Sequence, residues 1–480
     1  MNISDDQISS IVNRVVSQLA TDMSEGVSQE VKPALTPKPI AAPNRFLGCF
    51  NDVDSAIEAA RIAFEEYKLT PISVRVKIIS GIRKICHENL HQLADLALKE
   101  TGLGRYEDKL AKNALAIDKT PGVEDIEPWA KTGDHGLTLT ERCPFGVIGS
   151  ITPCTNPSET IINNGISMVA GGNSVCFHPH PSAKKTSIFT IDIMNKAVIT
   201  AGGPPNLFTT VATPTIKSAG YLMKHPGIKL LCVTGGPAVV GAAMNSGKRV
   251  VAAGPGNPPV IVDETADIEM AAKEIVRSAS CDNNIICVIE KEIIVVKTVA
   301  DQLKKAMVKY GAVELGQYQA RRLQKVILDD ENHTIKEFVG KDVQVILKAI
   351  GLDVDESKRL AITETKGDHP FATTELLMPV VPIIRVENVD EAIELAYKLE
   401  KNNFHTASMW SKNIDNLHKA AVKMNTSIFV KNGPCLAGLG LEAEDCTSFT
   451  IASPTGEGLT TARSFTRLRR CVMKGAFGNL

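Results

Sequence analysis

The run GVIGSITPCTNPSETIINNGISMVAGGNSVCF, Gly146–Phe177, carries the architecture in miniature. It opens with an apolar stretch, Gly146 to Ile151, crosses a Pro- and Asn-containing turn, continues as a helix after Asn156, and closes with a second apolar stretch, Asn173 to Phe177. Each short β-rich run is apolar at successive positions rather than alternate ones. That is the pattern of strands covered on both faces, as in a parallel sheet with helices on each side. The alternation continues through a helix after Pro181 and strands at Asn206–Thr210 and Ile228–Val233. A second block begins near Val250, with expected strands Val260–Val262, Val288–Val296, Val343–Leu347 and Val380–Val386 between helical patterns. The expectation is an α/β protein with two doubly wound domains.

Helices come first in the chain. Asp54 is the expected cap of a helix through Ile57, Ala60, Ile62 and Phe64, followed by one periodic stretch from Val74 to Leu98. Earlier still, Ile8, Ile11, Val12, Val15, Val16 and Leu19 form one helical stripe, with Ser4 and Gln7 spaced as a capping box. Asp5 and Asp6 stand where a secretory or mitochondrial signal carries positive charge, so 1–20 is not a signal peptide. It is either a helix docked on its own domain or a dimer partner, or an amphipathic targeting helix, a short address for a groove on another protein, which the long tether favours. Pro33, Pro37, Pro39 and Pro43 make 21–44 a Pro-rich linker. The expected division beyond it is a dinucleotide-binding domain at 45–250, with an oligomerisation hairpin at about 130–142, and a catalytic domain at 251–440. Residues 441–480 are expected to return to the first domain and end in an oligomerisation tail rich in Arg463, Arg467, Arg469 and Arg470.

Composition removes several classes. The 480 residues suit two or three domains. Lys plus Arg number 53 against 54 Asp plus Glu, so there is no basic excess for a nucleic acid to hold. No apolar run reaches the length of a membrane span. The eleven cysteines are scattered without disulfide-framework or zinc spacing, so a reducing compartment and no metal are expected.

Six runs, in order, resemble the aldehyde dehydrogenase superfamily: CPFGVIGSITPCTNP (Cys143–Pro157), GGNSVCFHPHPSAKKTS (Gly171–Ser187), VTGG (Val233–Gly236), AAGPGNPPVIVDETADIE (Ala252–Glu269), NNIICVIEKEIIVV (Asn283–Val296) and ELLMPVV (Glu375–Val381). The TNP element, GPGNPP with DNNIIC, and NNFHTAS (Asn402–Ser408) resemble its CoA-acylating members. The N-terminal helix and proline-rich tether resemble forms packed inside bacterial microcompartments.

The resemblance implies a set of roles. Oxidation of an aldehyde by hydride transfer needs a nucleophile to make the carbonyl carbon tetrahedral, and a thiolate suits. Cys287 is the expected nucleophile rather than Cys281, because it directly precedes the strand expected at Val288–Val296. Thr155 or Asn156 supplies the side-chain donor to the oxyanion; Asn156 equally reads as a helix cap. Hydrolytic members carry a glutamate where this chain has Ala252, so a thiol such as CoA is the expected acyl acceptor. His405 is either the base that takes the CoA proton or a core histidine. For the dinucleotide, Thr234, Gly235 and Gly236 resemble the pyrophosphate turn and Glu375 the acid at the nicotinamide ribose. His178 stands in place of the usual lysine, and Pro181 replaces the acid that often selects NAD. The expectation is an NAD-dependent oxidation of a short-chain aldehyde, propanal or acetaldehyde, to acyl-CoA. It would occur in a microcompartment within the cytoplasm, with shell proteins bound through residues 1–20 and a homodimer or homotetramer formed. An acyl-phosphate reductase of the glutamyl-phosphate type and a non-catalytic shell-associated scaffold are the alternatives.

Overall fold

Uninterrupted apolar runs produce the sheets. The computed structural model describes residues 45–477, so the expected targeting helix and linker lie outside the described residues. Along the chain come β1 (Cys49–Phe50), a hairpin of β2 (Trp129–Gly133) and β3 (Gly136–Pro144), then β4 (Val147–Thr152), β5 (Ser174–Pro179), β6 (Phe208–Val211), β7 (Leu230–Thr234) and β8 (Val250–Ala253). Every residue of β4, β5 and β6 is buried, as strands covered on both faces require. Except for the hairpin, these strands form one parallel sheet in the order β1-β6-β5-β4-β7-β8. The chain winds outward from β4 through β5 and β6, then returns to place β7 on the other side of β4. A crevice at such a reversal, outside the carboxyl ends of the strands, is where doubly wound sheets bind ligands.

A second parallel sheet follows, built from β9 (Pro259–Val262), β10 (Glu292–Val296), β11 (Ala312–Glu314), β12 (Leu360–Thr365), β13 (Val380–Val386), β14 (Thr406–Trp410) and β15 (Ile428–Lys431). Its order is β11-β12-β13-β10-β9-β14-β15. The chain then forms the small antiparallel pair β16 (Ile451–Ala452) and β17 (Gly458–Leu459) and ends in β18 (Thr466–Lys474), which pairs with β3 along its whole length. Phe449, Ile451, Ala452, Ala462 and Phe465 sit in the same core as Ile148, Val175, Phe177 and Phe208, so the chain end closes over the first sheet.

Local expectations differ from the structure at five places. Val343–Lys348 is a helix, not a strand. Its buried residues Val343, Ile346 and Leu347 recur at i, i+3 and i+4, a helical period that a five-residue apolar run hides. The stretch Val74 to Leu98 is two helices, Ile72–Glu88 and Leu90–Thr101, divided where Asn89 turns its side-chain Nδ2 onto Ile85 O at 2.8 Å. The first helix is capped by Asp52, whose Oδ1 accepts from Ser55 N, so Asp54 lies inside the first turn. β8 belongs to the first sheet, and the second begins only at β9, after a proline-containing crossover. Finally, β10 starts at Glu292, leaving Cys287 in a turn rather than at the strand's edge.

Candidate active site

The turn that carries Cys287 begins with an unusual backbone. Asp282, Asn283 and Asn284 are successive left-handed residues, with φ of 45°, 54° and 64°. Asn and Asp tolerate this region better than other side chains, but three in a row are costly without support. Each side chain supplies support from a different quarter. Asp282 Oδ1 accepts from Arg105 N at 2.7 Å, while its Oδ2 pairs with Lys112 Nζ at 2.5 Å and Lys109 Nζ at 3.2 Å. Asn283 Nδ2 donates to Gly340 O and Asp342 Oδ1. Asn284 Nδ2 donates to Ala279 O and Glu290 O. The sequence Asp-Asn-Asn is therefore what lets the chain roll over and present the residues that follow.

Of the two cysteines in this segment, Cys281 is buried and Cys287 is partly open. Burial, then the charges of Asp108 and Asp282, push the Cys281 thiol far up. Burial and then Glu375 push the Cys287 thiol up to about 12, against the pull of Lys291 and Lys112. Across the backbone from Cys287 lies His405. A Cβ on Gly256 would stand 2.6 Å from Cys287 O and 3.2 Å from the His405 ring, so only glycine fits between them. His405 is fully buried; its backbone N–H donates to Glu400 Oε1 at 2.8 Å and its ring Nδ1 meets Thr406 Oγ1 at 2.9 Å. Its Nε2 has no partner among the described residues. Burial, then Lys291, lower this imidazole to about 4, so it is neutral at pH 7. The approach to it is also left-handed, at Lys401, Asn402 and Phe404, and for a side chain as large as Phe404 that is a genuine outlier. Glu375 completes this group; burial raises its carboxyl, while Lys291 and the Gly256 N–H work the other way.

Thr155 and Asn156 lie between β4 and the helix Pro157–Ala170. Asn156 occupies the cap position without capping. Its Oδ1 instead accepts from Lys112 Nζ at 2.5 Å, which leaves the Nδ2 protons as the free donors of the amide; Nδ2 reaches Thr155 Oγ1 only at 3.4 Å. Lys112 thus joins Asn156, Asp282 and Glu159, the last at 3.4 Å, in one buried cluster.

The dinucleotide candidates stand at the carboxyl edge of the first sheet. Gly235 and Gly236 follow β7 beside the winding reversal and open the helix Pro237–Met244, which has no side-chain cap. A Cβ built on Gly236 would meet nothing within 4 Å. The Gly235 N–H is taken by Ala253 O at 3.2 Å, so of the two glycines it is Gly236, in open space at a helix start, whose backbone fits a pyrophosphate. Thr234 is different: its hydroxyl is engaged at 2.9 Å by Thr450 Oγ1, tying β7 to the chain end. His178, in β5, is buried, and its Nε2 meets Ser218 Oγ at 2.8 Å. Burial lowers it to about 4. Ala252 is buried in β8 with its N–H on Thr455 Oγ1. Sequence reasoning passed over Lys291, Gly256, Lys112 and Asp282; the available signal was charge and glycine inside otherwise apolar runs.

The aldehyde dehydrogenase family model matches residues 25–439. The acetylating acetaldehyde dehydrogenase EutE of Salmonella typhimurium is 52% identical over 437 residues, covering 90% of this chain and 93% of that one. The crystal structure of Rhodopseudomonas palustris propionaldehyde dehydrogenase with bound CoA and an acylated cysteine superposes with a TM-score of 0.89 at 46% identity, covering 90% of this chain and 99% of that one. The propionaldehyde dehydrogenase of the Clostridium phytofermentans fucose utilisation microcompartment gives 0.89 and 46%, over 90% and 100% of the two chains. That enzyme has also been solved with one histidine and, separately, one cysteine replaced by alanine. This chain belongs to the aldehyde dehydrogenase family.

Proposed function

We propose that the chain is a CoA-acylating dehydrogenase of short aldehydes, acetaldehyde or propanal, with NAD as hydride acceptor. The observation that carries the reading is the neutral His405 imidazole, whose Cγ–Nδ1 edge packs on Gly256 as the Cys287 carbonyl does, and whose Nε2 has no partner among the described residues. The proteins it resembles bear names for this reaction with acetyl or propionyl groups. In the C. phytofermentans enzyme, the interval between the replaced cysteine and histidine equals that between Cys287 and His405 here.

The chemistry follows from the side chains. Cys287 releases its proton to solvent and attacks the aldehyde carbon; the resulting oxyanion faces the Asn156 Nδ2 protons, with the Thr155 hydroxyl beside them. A bound nicotinamide would supply the hydride acceptor, and loss of hydride from the adduct carbon would leave a thioester on Cys287. Gly236 would offer its backbone N–H to the pyrophosphate, with Gly235 shaping the turn while its own N–H stays on Ala253 O, and Glu375 would hold the nicotinamide ribose. His178 and Thr234 hold their own strands at this edge, committed to Ser218 and Thr450. With alanine at 252 no carboxylate aims a water at the thioester, so it persists until the CoA thiol attacks. His405 Nε2 takes that thiol's proton, and the Cys287 thiolate leaves as acyl-CoA forms.

The test is a panel of short aldehydes with NAD or NADP, with and without CoA, scoring acyl-CoA against free acid. Acyl-CoA should dominate when CoA is present, and abundant free acid under those conditions would refute the reading. Cys287→Ala should abolish CoA-dependent NADH formation while Cys281→Ala retains it.

Assembly belongs to the same proposal. Among the described residues no helix is long and apolar enough to cross a membrane. Residues 1–20 address the enzyme to the shell proteins of a cytoplasmic microcompartment, in keeping with the source of one solved relative. Deleting them should leave an active enzyme that no longer co-fractionates with shells. The sheet β2-β3-β18 exposes Trp129, Leu468 and Val472, an apolar strip suited to a homodimer or homotetramer, which light scattering would decide.

A further inference from the structure

Lys291 lies four residues after Cys287 and is 4% exposed. Its three ammonium protons meet three oxygens: Asn284 O at 2.7 Å, Asn284 Oδ1 at 2.6 Å and Ile286 O at 3.2 Å. None of these carries a charge, and among the described residues no carboxylate oxygen comes within ion-pair distance of it. Lys109 and Lys112, buried to the same degree, both pair with Asp282. Burying an ammonium without a counter-ion is costly, and an apolar side chain of similar volume would fill the space without that cost. With only the longer-range charge of Glu375 in its favour, such a cation is free to serve an anion that forms during the reaction.

The groups facing Lys291 identify the anion. The charges that bear on Lys291 are, strongest first, Glu375 from the segment before β13, Cys287 on the same turn, and Glu292 and Glu290 at the entrance to β10, while Lys291 itself bears on His405 at the start of β14. Glu290 is already used: its Oε2 accepts from Ser278 Oγ at 2.5 Å and its Oε1 from Cys435 N at 2.7 Å. Glu292 Oε1 accepts from Asn257 Nδ2 at 3.1 Å, its Oε2 has no partner, and burial favours the protonated form of both acids. Glu375 bears on the Cys287 sulfur with the opposite sign, and Lys112 adds a second positive contribution from the helix Tyr106–Lys119. With all its protons engaged, Lys291 has none to offer a substrate, so it acts through its field.

We propose that Lys291 is a positioning residue whose fixed, unpaired ammonium stabilises the thiolate of Cys287 each time it forms, before attack on the aldehyde and on release to CoA. The inference rests on Cys287 being the nucleophile. The test is the rate of iodoacetamide alkylation between pH 7 and 9, with the labelled residue identified by mass spectrometry. Lys291→Met should slow labelling of Cys287 about tenfold or more, displacing the rate profile by about one pH unit to higher pH. Lys291→Gln, which keeps amide protons for the Asn284 and Ile286 oxygens, should be slowed as much, and Glu375→Gln should be faster than the unaltered enzyme. Wild-type rates in folded Lys291→Met, or recovery in Lys291→Gln, would overturn the proposal by reducing Lys291 to a structural brace. Should Lys291→Met fail to fold, Lys291→Gln and Glu375→Gln decide between the same two outcomes. Label on another cysteine, with Cys287→Ala still active, would instead remove the nucleophile assignment beneath it.

Discussion

Lys112 and Lys291 are buried on two sides of the same candidate site and are treated in opposite ways. Lys112 sits among carboxylates, with Asp282 Oδ2 at 2.5 Å and Glu159 Oε1 at 3.4 Å, and holds Asn156 Oδ1 as well. Burial works against its charge, but Asp282 and then Glu159 outweigh it and hold the ammonium above its usual range. Lys291 has only neutral oxygens, and burial lowers it. A balanced cluster fixes geometry, here the left-handed turn and the Asn156 amide. An unbalanced cation leaves a field in the pocket. Burial alone does not report a role; the charge of the partners does.

The largest expected effect comes from breaking the balanced side. Asp282→Ala strands Lys109 and Lys112 and removes one brace of the left-handed turn, which should cost about 3–5 kcal/mol of stability in urea unfolding. A loss under about 1 kcal/mol would mean the cluster braces nothing. Next is the amide that Lys112 orients: Asn156→Ala should lower kcat about 10²- to 10³-fold, and Thr155→Ala less than about tenfold. The reverse ranking would make Thr155 the donor. Lys112→Met should share much of the Asn156→Ala deficit if orientation is its task.

The buried histidines set an intermediate effect. His405 and His178 are held at about 4 in the folded chain. The unfolded chain binds a proton near 6.5, so between those values it holds more protons and stability falls as the pH drops. The loss should reach on the order of 2–3 kcal/mol per histidine near pH 4. Denaturant titrations of His405→Asn between pH 7 and 4 should show a shallower decline. Smallest is the stability change in Lys291→Met, expected within about 1 kcal/mol of wild type or slightly positive, because an unpaired buried charge is removed. A loss comparable to that of Asp282→Ala would erase the contrast between the two lysines.

Much of the fold was legible because burial on both faces writes itself as consecutive apolar residues. The expected strand Val380–Val386 coincides with β13, and Gly146–Ile151 lies within one residue of β4. Val343–Leu347 failed because five apolar residues carry no period of their own. At the candidate site, Cys287, Glu375 and His405 were proposed from runs that resemble a family, whereas Lys112 and Asp282 meet across 170 residues of chain and no local pattern joins them.

The order of residues was enough for the two parallel sheets and the absence of a carboxylate at 252, since each depends on side-chain type at a position. Folding in three dimensions settled which of two nearby thiols is partly open and, among the described residues, which lysine lacks a counter-ion and which imidazole nitrogen is left unbound. Those properties belong to pairs of residues distant in the chain, and electrostatic energy depends on their separation in space.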